Sequence, residues 1–209
     1  CNAVNFIDSV DGLAGSVITV NSITLAIVAV SMTPSNSISA LIAFILSGSM
    51  LAFLAYNFNP AKIFMGDSGS LFSGFLLASL SITGVMKTAT LAILLPFVVL
   101  AVPIIDITFS TLRRILKGHS PFVADAEHIH HKLLKAGLSQ NKTVVTITFV
   151  AIVGGAIATS LVGSIGHYLI YMLVLLLIMF GLSLIAITRK KNINPEQILE
   201  EEQHKNEEQ

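Results

Sequence analysis

The sequence has few charged side chains, one cysteine and long stretches without any charge. Charged residues make up 11% of its 209 residues and hydrophobic residues 54%, whereas a soluble domain carries about 25% charged residues. This composition excludes a soluble globular protein and predicts an integral membrane protein. The single cysteine, Cys1, excludes a framework of disulfides within the chain. The formal net charge is zero, so no basic surface for nucleic acid is expected.

The sequence shows neither an initiator methionine nor the pattern of a signal peptide. It begins on the polar stretch Cys1-Asn2-Ala3-Val4-Asn5. We therefore expect that a further N-terminal segment belongs to this protein.

Uncharged runs predict the membrane spans, because about 20 apolar residues cross a bilayer as a helix. Residues 12–61 contain no charge, and the turn residues Thr33-Pro34-Ser35-Asn36-Ser37 divide this run into two helices. The prediction is an all-α, polytopic membrane helix bundle with about six spans in a domain of residues 1–191. A polar, acidic tail follows at residues 192–209. The six predicted spans are roughly 12–31, 37–56, 68–86, 88–112, 143–162 and 168–188.

The charges predict the orientation of the spans. Basic residues lie in the segment from Arg113 to Lys142 and again at Arg189-Lys190-Lys191. The positive-inside rule makes both regions cytoplasmic. Counting back, the start of the chain and the loop at 57–67 are cytoplasmic too. Polar chemistry is therefore expected at the inner membrane face.

The stretch Phe64-Met65-Gly66-Asp67-Ser68-Gly69-Ser70 lies where that loop meets the third predicted span. Its glycines let a ligand approach the backbone, and N–H groups at a helix start favour anions. Asp67 in this setting suits a hard cation such as Mg²⁺, which would bridge the protein to phosphate. The alternative is a plain helix N-cap.

A second polar cluster precedes the first span. Asn5, Asp8 and Asp11 are spaced by three, which would put them on one face of a helical turn. Asp11-Gly12 is typical of a turn leading into a helix. Capping and ordinary loop polarity are the alternative interpretation.

Two other residues stand out singly. Phe64 could stack on a nucleobase, or it could be an interfacial anchor. Asp106 lies within the fourth predicted span, seven residues before Arg113 and so near its cytoplasmic end. For Asp106 we favour a structural ion pair or an interhelical hydrogen bond over catalysis.

Three histidines, His128, His130 and His131, fall within four residues. Their side chains could hydrogen-bond or neutralise a pyrophosphate. A zinc site and a solvated polar loop are the alternatives, and His128 and His131 could share a helix face. No cysteine pair supports a structural zinc site.

At these residues the sequence resembles a known family. The segments NAVNFIDSVDGLAG, FMGDSGS and HIHH are similar to motifs of the polyprenyl-phosphate N-acetylhexosamine-1-phosphate transferases, a glycosyltransferase family 4 group that includes relatives such as the lipid I-forming translocase. The resemblance runs from Cys1 to about Lys191. It implies a multi-pass enzyme of the bacterial cytoplasmic membrane with its active face toward the cytoplasm.

The resemblance implies a reaction. UDP-N-acetylglucosamine and undecaprenyl phosphate would give undecaprenyl-diphosphate-N-acetylglucosamine and UMP, the first membrane step of a cell-wall or surface polysaccharide. Mg²⁺, with Mn²⁺ as an alternative, would neutralise the donor pyrophosphate. Membrane lipid surrounds such an enzyme, and a homodimer is compatible with it.

The resemblance also assigns roles by motif position. Asn5 and Asp67 look like metal ligands, and Asp8 would support that site. Asp11 looks like a contact to uracil, and Phe64 matches the aromatic residue that stacks on it. The three histidines match the motif that handles the pyrophosphate or the sugar, so His128, His130 and His131 join Asp67 and Asp8 as candidate catalytic residues.

Two departures from the family pattern matter. Ser9 stands where glycine is usual, and its small side chain should be tolerated. Family members also carry an Asp-Asp-x-x-Asp motif and about ten or eleven spans, whereas this sequence has no adjacent aspartate pair. We therefore expect the chain to represent the C-terminal portion of such an enzyme and to be inactive alone. One alternative is an inactive relic of the family. The other is half of a transporter, and Asp106 and the nearby prolines would be the evidence for it.

Overall fold

A computed structural model describes residues 1–31, 35–83, 99–116 and 128–162. All of them belong to one compact unit, Cys1–Leu175. Within the described residues the regular elements are all helices, which confirms the predicted all-α class. The seven helices are α1 (Asn2–Ile7), α2 (Leu13–Ser31), α3 (Ser37–Asn57), α4 (Gly66–Thr83), α5 (Ala101–Leu116), α6 (Ile129–Lys135) and α7 (Gln140–Val162).

Helix α2 is the centre of the bundle. It packs against α3, α4 and α7, and 94% of its apolar window is buried, compared with 33% for α3 and 50% for α7. Several of its hydroxyls bond to carbonyls of the preceding turn, as Thr19 does to Gly15 and Ser22 to Ile18, whereas Ser16 Oγ is buried without a hydrogen-bond partner among the described residues. These bonds satisfy polar side chains inside an apolar helix.

Three described helices are long and apolar enough to cross a membrane: Leu13–Ser31, Ser37–Asn57 and the segment Gln140–Ser160 of α7. They agree with the first, second and fifth predicted spans, and the protein is a polytopic membrane protein. The third and fourth predicted spans overlap α4 and α5. Helix α5 ends at Leu116, beyond the predicted end at residue 112. The sixth predicted span and the tail lie outside the described residues, and the count of six stays a prediction.

The break between the first two spans is where the turn residues predict it. Helix α2 ends at Ser31 and α3 begins at Ser37. The Asn36 side chain accepts a hydrogen bond from the Ser39 N–H at 3.1 Å, and so caps α3. The same side chain donates to the Thr83 carbonyl at 3.0 Å, which joins the start of α3 to the end of α4.

The helix ends that matter for function meet at the opposite end of the bundle. There, hydrogen bonds link α1 to α4, the start of α2 to the end of α3, and α5 to the residue before α6. The charged residues of the described segments lie at this end, before α2, between α3 and α4, near the end of α5, in α6 or at the start of α7.

Candidate active site

A cavity of about 320 Å³ opens at this end of the bundle. Its wall combines α1, the turn that follows it, the end of α3, the loop after α3 and the start of α4. The cavity is lined by Asn5, Asp8, Ser9, Val10, Asp11, Asn57, Phe64, Gly66 and Asp67. Five residues that the sequence singles out, Asn5, Asp8, Asp11, Phe64 and Asp67, therefore line one pocket.

Asn5 joins the two polar motifs directly. Its Nδ2 donates to Asp67 Oδ1 at 2.8 Å and to Ser70 Oγ at 2.9 Å. The Ser70 hydroxyl in turn donates to the Gly66 carbonyl one turn earlier, at 2.9 Å. Both bonds of Asn5 use the amide nitrogen and neither uses the amide oxygen, which is the atom that a metal would require.

Asp8 lies beside Asp67. Burial, and then the negative charge of Asp67, raise the pKa of Asp8 to about 6, while a hydrogen bond from the Gly66 N–H acts in the opposite direction. A cation bound beside these two carboxylates would offset the repulsion that Asp67 exerts on a charged Asp8.

Two glycines permit this arrangement. Gly66 begins α4 with a φ of +65°, a conformation that side chains with a Cβ rarely adopt. Gly74 lies about two turns after Gly66 in α4. An added Cβ there would be 2.9 Å from Cys1 Cα and 3.0 Å from Cys1 O. The absence of a side chain at Gly74 thus lets α1 lie against α4.

Asp11 is held by the loop that follows α3. Its Oδ2 accepts from the Ala61 N–H at 3.1 Å and from Asn59 Nδ2 at 3.2 Å, and Asn59 also donates to Gln140 at 2.7 Å. This network ties the loop to the start of α2 and to α7. The Asp11 carboxylate therefore has a structural task in addition to lining the pocket.

The predicted helical face of Asn5, Asp8 and Asp11 is wrong. Helix α1 ends at Ile7, and Asp8 is its C-cap with φ −80° and ψ 23°. The chain then turns into α2, so the three side chains reach the same pocket from a helix, a cap and a turn. The prediction of a turn at Asp11-Gly12 is confirmed, since Gly12 has a φ of +79°.

Phe64 presents its ring at the mouth of the pocket. Its residue is 76% exposed, which is the highest exposure among the described large hydrophobic side chains after Leu116. Asn57, buried at the end of α3, donates to the Ile63 carbonyl at 2.8 Å and accepts from the Gly12 N–H at 2.9 Å. Asn57 thereby fixes the loop from which Phe64 projects.

The histidines lie beside this pocket and do not line it. His128 Nδ1 is 3.0 Å from Asp106 Oδ2, and the Ile129 N–H donates to Asp106 Oδ1 at 2.7 Å. Asp106 is only 3% exposed, so a buried carboxylate of α5 anchors the start of α6. The structural hydrogen bond expected at Asp106 is confirmed, with partners that the sequence does not identify.

The three imidazoles lie close together, and only the rings of His128 and His130 are stacked, whereas His131 is tilted against both. The rings of His128 and His130 are 5.6 Å apart and nearly parallel at 7°, and those of His130 and His131 are 4.3 Å apart. His128 is the N-cap residue of α6 and His131 lies three residues further on within the helix, with ring centroids 6.5 Å apart. The suggested shared helix face stays a prediction. Among the described residues no three His, Cys, Asp or Glu side chains are grouped so that they could hold a metal ion.

Two contacts connect the histidines to the pocket. The Phe6 ring stacks on His128 with centroids 5.3 Å apart and an interplanar angle of 23°. Ser9 Oγ lies 2.6 Å from His130 Nε2. The sequence pattern predicts no role for Phe6 and only steric tolerance for Ser9. Ser70 belongs to the predicted acidic stretch and Asn57 to the predicted turn after the second span, but their contacts to Asn5 and Gly12 are not predicted. The three-residue step from Asp67 to Ser70 and an amide at the end of an apolar run were available signals.

A magnesium ion fits the chemistry of this pocket. Mg²⁺ usually keeps several waters and takes one or two carboxylates together with substrate phosphates. Asp67 and Asp8 supply two carboxylates. The Asn5 amide lies beside Asp67 with its nitrogen toward the carboxylate, and it would have to present its oxygen to serve as a metal ligand. Such a site would take its remaining ligands from the substrate and from water.

Comparison with known proteins defines the class of this membrane protein. Residues 1–85 match the family described as glycosyl transferase family 4. The match covers α1 to α4 and hence the whole described pocket wall. The chain belongs to glycosyl transferase family 4.

Curated relatives match a larger part of the chain. A probable undecaprenyl-phosphate N-acetylglucosaminyl 1-phosphate transferase of Bacillus subtilis is 42% identical over 153 residues, which is 73% of this chain. A decaprenyl-phosphate N-acetylglucosaminephosphotransferase of Mycobacterium leprae is 37% identical over 164 residues, 70% of this chain. The undecaprenyl-phosphate alpha-N-acetylglucosaminyl 1-phosphate transferase of Escherichia coli K12 is 30% identical over 155 residues, 72% of this chain.

These matches span 42%, 41% and 42% of the three relatives, respectively, so the chain covers less than half of their length. The family match lies in the N-terminal part of this chain, which gives no support to the expectation that the chain is the C-terminal portion of a family member. That expectation stays a prediction. The comparisons give no support to a homodimer.

Proposed function

We propose that this chain forms the donor site of an enzyme that transfers N-acetylglucosamine 1-phosphate from UDP-N-acetylglucosamine to undecaprenyl phosphate. The observation that carries the proposal is the single pocket lined by Asn5, Asp8, Asp11, Phe64 and Asp67. It offers carboxylates for a cation, an exposed aromatic ring for a base and polar groups for a nucleotide. The names of the relatives supply the sugar and the polyprenyl phosphate.

In this proposal Asp67 and the side-chain oxygen of Asn5 hold Mg²⁺, and Asp8 supports the ion from beside Asp67. Bound Mg²⁺ would neutralise the donor pyrophosphate. Phe64 stacks on uracil, and Asp11, held by the loop after α3, faces the base. Catalysis of phosphoryl transfer is mostly positioning and charge stabilisation, so a rigid pocket of this kind is suited to the reaction.

The reaction conserves the number of phosphate groups. An oxygen of the lipid phosphate attacks the β-phosphorus of the nucleotide sugar, and the bond from that phosphorus to the bridging oxygen breaks. UMP leaves, and the new bond yields the lipid diphosphate sugar. His128, His130 and His131 lie beside the pocket and are assigned to the pyrophosphate or sugar end.

We further propose that this end of the bundle faces the cytoplasm of a bacterial cell. Arg113 and Arg114 lie in the last turn of α5, and Lys132, Lys135 and Lys142 lie in α6 and at the start of α7. The positive-inside rule places these residues on the cytoplasmic side. Charges collected at one membrane face also favour an enzyme over a transporter half, which requires ionisable groups near the bilayer midplane.

Transfer of label from the donor to lipid tests the proposal. Membranes containing the protein produced from its complete coding sequence receive sugar-labelled UDP-N-acetylglucosamine, undecaprenyl phosphate and Mg²⁺. We expect labelled lipid and an equal amount of UMP, both lost with EDTA and with Asp67→Asn. Retained transfer in Asp67→Asn would remove the metal assignment, and absence of any transfer by the wild type would refute the function.

A further inference from the structure

Ser9 and His130 form a hydrogen bond between segments 121 residues apart. Ser9 lies in the turn after α1, and His130 lies in α6. Their Oγ and Nε2 atoms are 2.6 Å apart. Together with the stack of Phe6 on His128, this bond joins the end of α1 to α6 at two points.

The lengths of the contacts indicate where the hydroxyl proton lies. Ser9 has one hydroxyl proton and two candidate acceptors, His130 Nε2 at 2.6 Å and the Phe6 carbonyl at 3.4 Å. Hydroxyl donors prefer acceptors at about 2.5–3.0 Å, so the shorter contact favours donation from Ser9 to Nε2 over donation to the Phe6 carbonyl. An imidazole that accepts at Nε2 and is neutral carries its own proton on Nδ1.

His130 is neutral at physiological pH. The residue is 1% exposed, and burial lowers the pKa of its imidazole to about 4. His131 in α6 and, more weakly, His128 just before α6 act in the same direction, whereas Asp106 acts against them from α5. A neutral imidazole has two tautomers, and a hydrogen-bond partner selects between them.

Ser9 also belongs to the wall of the pocket, beside Asp8 and Asp11. Its hydroxyl is therefore the direct link between the pocket and an imidazole that does not line it. We propose that Ser9 is a positioning residue that fixes the orientation and the Nδ1–H tautomer of His130, and so couples the donor pocket to the histidines of α6. The role in turnover rests on the function proposed above, because it requires that the pocket takes a nucleotide sugar.

The tautomer can be measured on the whole chain without substrate. Long-range proton–nitrogen spectra of the ¹⁵N-histidine-labelled protein in micelles at pH 7.5 report which ring nitrogen carries the proton, and His130→Gln identifies the signal. We expect the Nδ1–H form in the wild type and in Ser9→Thr, which retains the hydroxyl. In Ser9→Ala and Ser9→Gly the ratio of the Nδ1–H to the Nε2–H form should fall about fivefold, the factor for a net hydrogen bond of about 1 kcal/mol.

Ser49→Ala is the matched control, because Ser49 is exposed on α3 and its hydroxyl bonds only to the Ile45 carbonyl of its own helix. It should leave the His130 signal unchanged. A ratio in Ser9→Ala and Ser9→Gly equal to that of the wild type would overturn the proposal.

Turnover by the protein made from its complete coding sequence separates positioning from simple structural support. We expect Ser9→Ala to lower kcat about fivefold with the KM for the nucleotide sugar unchanged, and Ser9→Thr to restore kcat. Equal kcat in the wild type and Ser9→Ala would overturn the coupling to turnover. If the wild type transfers no sugar phosphate, the proposed function fails, while the spectra still decide whether Ser9 fixes the ring.

Discussion

Asp106 on α5 holds His128 through a 3.0 Å contact between Oδ2 and Nδ1, and it uses its other oxygen to accept the Ile129 N–H. One buried carboxylate thus orients an imidazole and caps the helix that carries the other two histidines. This anchor acts together with the contacts of Ser9 and Phe6 to hold the histidines beside the donor pocket.

Replacement of Asp106 should therefore loosen α6. Asp106→Leu leaves the part-buried Ile129 N–H without its acceptor and removes the nearer partner of His128 Nδ1, whose other contact is Ser110 Oγ at 3.3 Å. An unsatisfied buried polar group costs about 1–3 kcal/mol. We expect a clear decrease in the melting temperature of the purified protein in detergent. Thr108→Ala, on the exposed side of the same helix, removes only a bond to the Ile104 carbonyl and serves as the control. Equal melting temperatures for Asp106→Leu and the control would show that the anchor contributes nothing.

Close packing of α1 on α4 gives a second prediction. Gly74→Ala would place a Cβ 2.9 Å from Cys1 Cα and 3.2 Å from Val4 Cβ, and overpacking of this kind costs about 1–3 kcal/mol. Displacement of α1 should weaken the bond from Asn5 to Asp67 and reduce binding of the nucleotide sugar, measured by calorimetry. Gly48→Ala in α3, where nothing lies within 4 Å, should leave binding unchanged and should not lower stability, because alanine favours a helix interior over glycine. Normal binding by Gly74→Ala would contradict the packing argument.

Phe64 is predicted to bind the base by stacking. Stacking of a base on an aromatic ring contributes about 1–3 kcal/mol, so Phe64→Leu should weaken binding of UDP about tenfold, whereas Phe64→Tyr should retain it. Phe72→Leu is a suitable control, since Phe72 is also exposed but lies on α4 away from the pocket lining. If both leucine variants bind UDP equally well, Phe64 is an interfacial anchor.

The two shifted pKa values predict opposite pH effects on stability. The pKa of His130 is lowered to about 4 from 6.5, so the unfolded chain binds the proton first, and stability is lost as pH falls from about 6.5 to about 4. The pKa of Asp8 is raised to about 6 from 3.8, so the folded chain binds the proton first, and stability is gained as pH falls from about 6 to about 3.8.

Asp8→Asn and His130→Gln separate these effects in melting curves recorded without divalent cations. Asp8→Asn should be more stable than the wild type at pH 8, because it removes a carboxylate that burial and Asp67 disfavour. Its melting temperature should fall more steeply between pH 6 and pH 4, since only the loss due to His130 remains. His130→Gln should show the shallower decline. Parallel curves for the wild type and both variants would mean that neither group is perturbed in the folded protein.

The sequence predicts the long apolar helices, and it singles out Asn5, Asp8, Asp11, Phe64 and Asp67, which line the pocket. The physical reasons differ between the helices and these residues. Uncharged runs identify α2, α3 and α7, because a bilayer requires about 20 apolar residues whatever the tertiary structure. The sequence predicts that Asn5 and Asp67 share a metal ion. It does not predict the direct hydrogen bond of 2.8 Å between their side chains.

Contacts between distant segments are the part that the sequence does not predict. The bond from Ser9 to His130 and the contacts of Asp106 depend on how α1, α5 and α6 pack together. No local sequence pattern predicts this packing. Spacing by three suggests one helix for Asn5, Asp8 and Asp11, but Asp8 caps α1 and the chain turns. Tertiary packing brings the three side chains to one pocket, whereas the sequence periodicity predicts that they share one face of a helix.

Binding of UDP-N-acetylglucosamine with and without Mg²⁺ tests the central claim most directly. Calorimetry on the wild type, Asp67→Asn and the control Ser68→Ala, which changes the exposed neighbour of Asp67, compares the three proteins under the same conditions. The proposed site predicts binding by the wild type and Ser68→Ala in Mg²⁺ that is lost in EDTA and at least tenfold weaker in Asp67→Asn. Binding of equal strength in EDTA and in Asp67→Asn would contradict a metal-assisted donor site in this pocket.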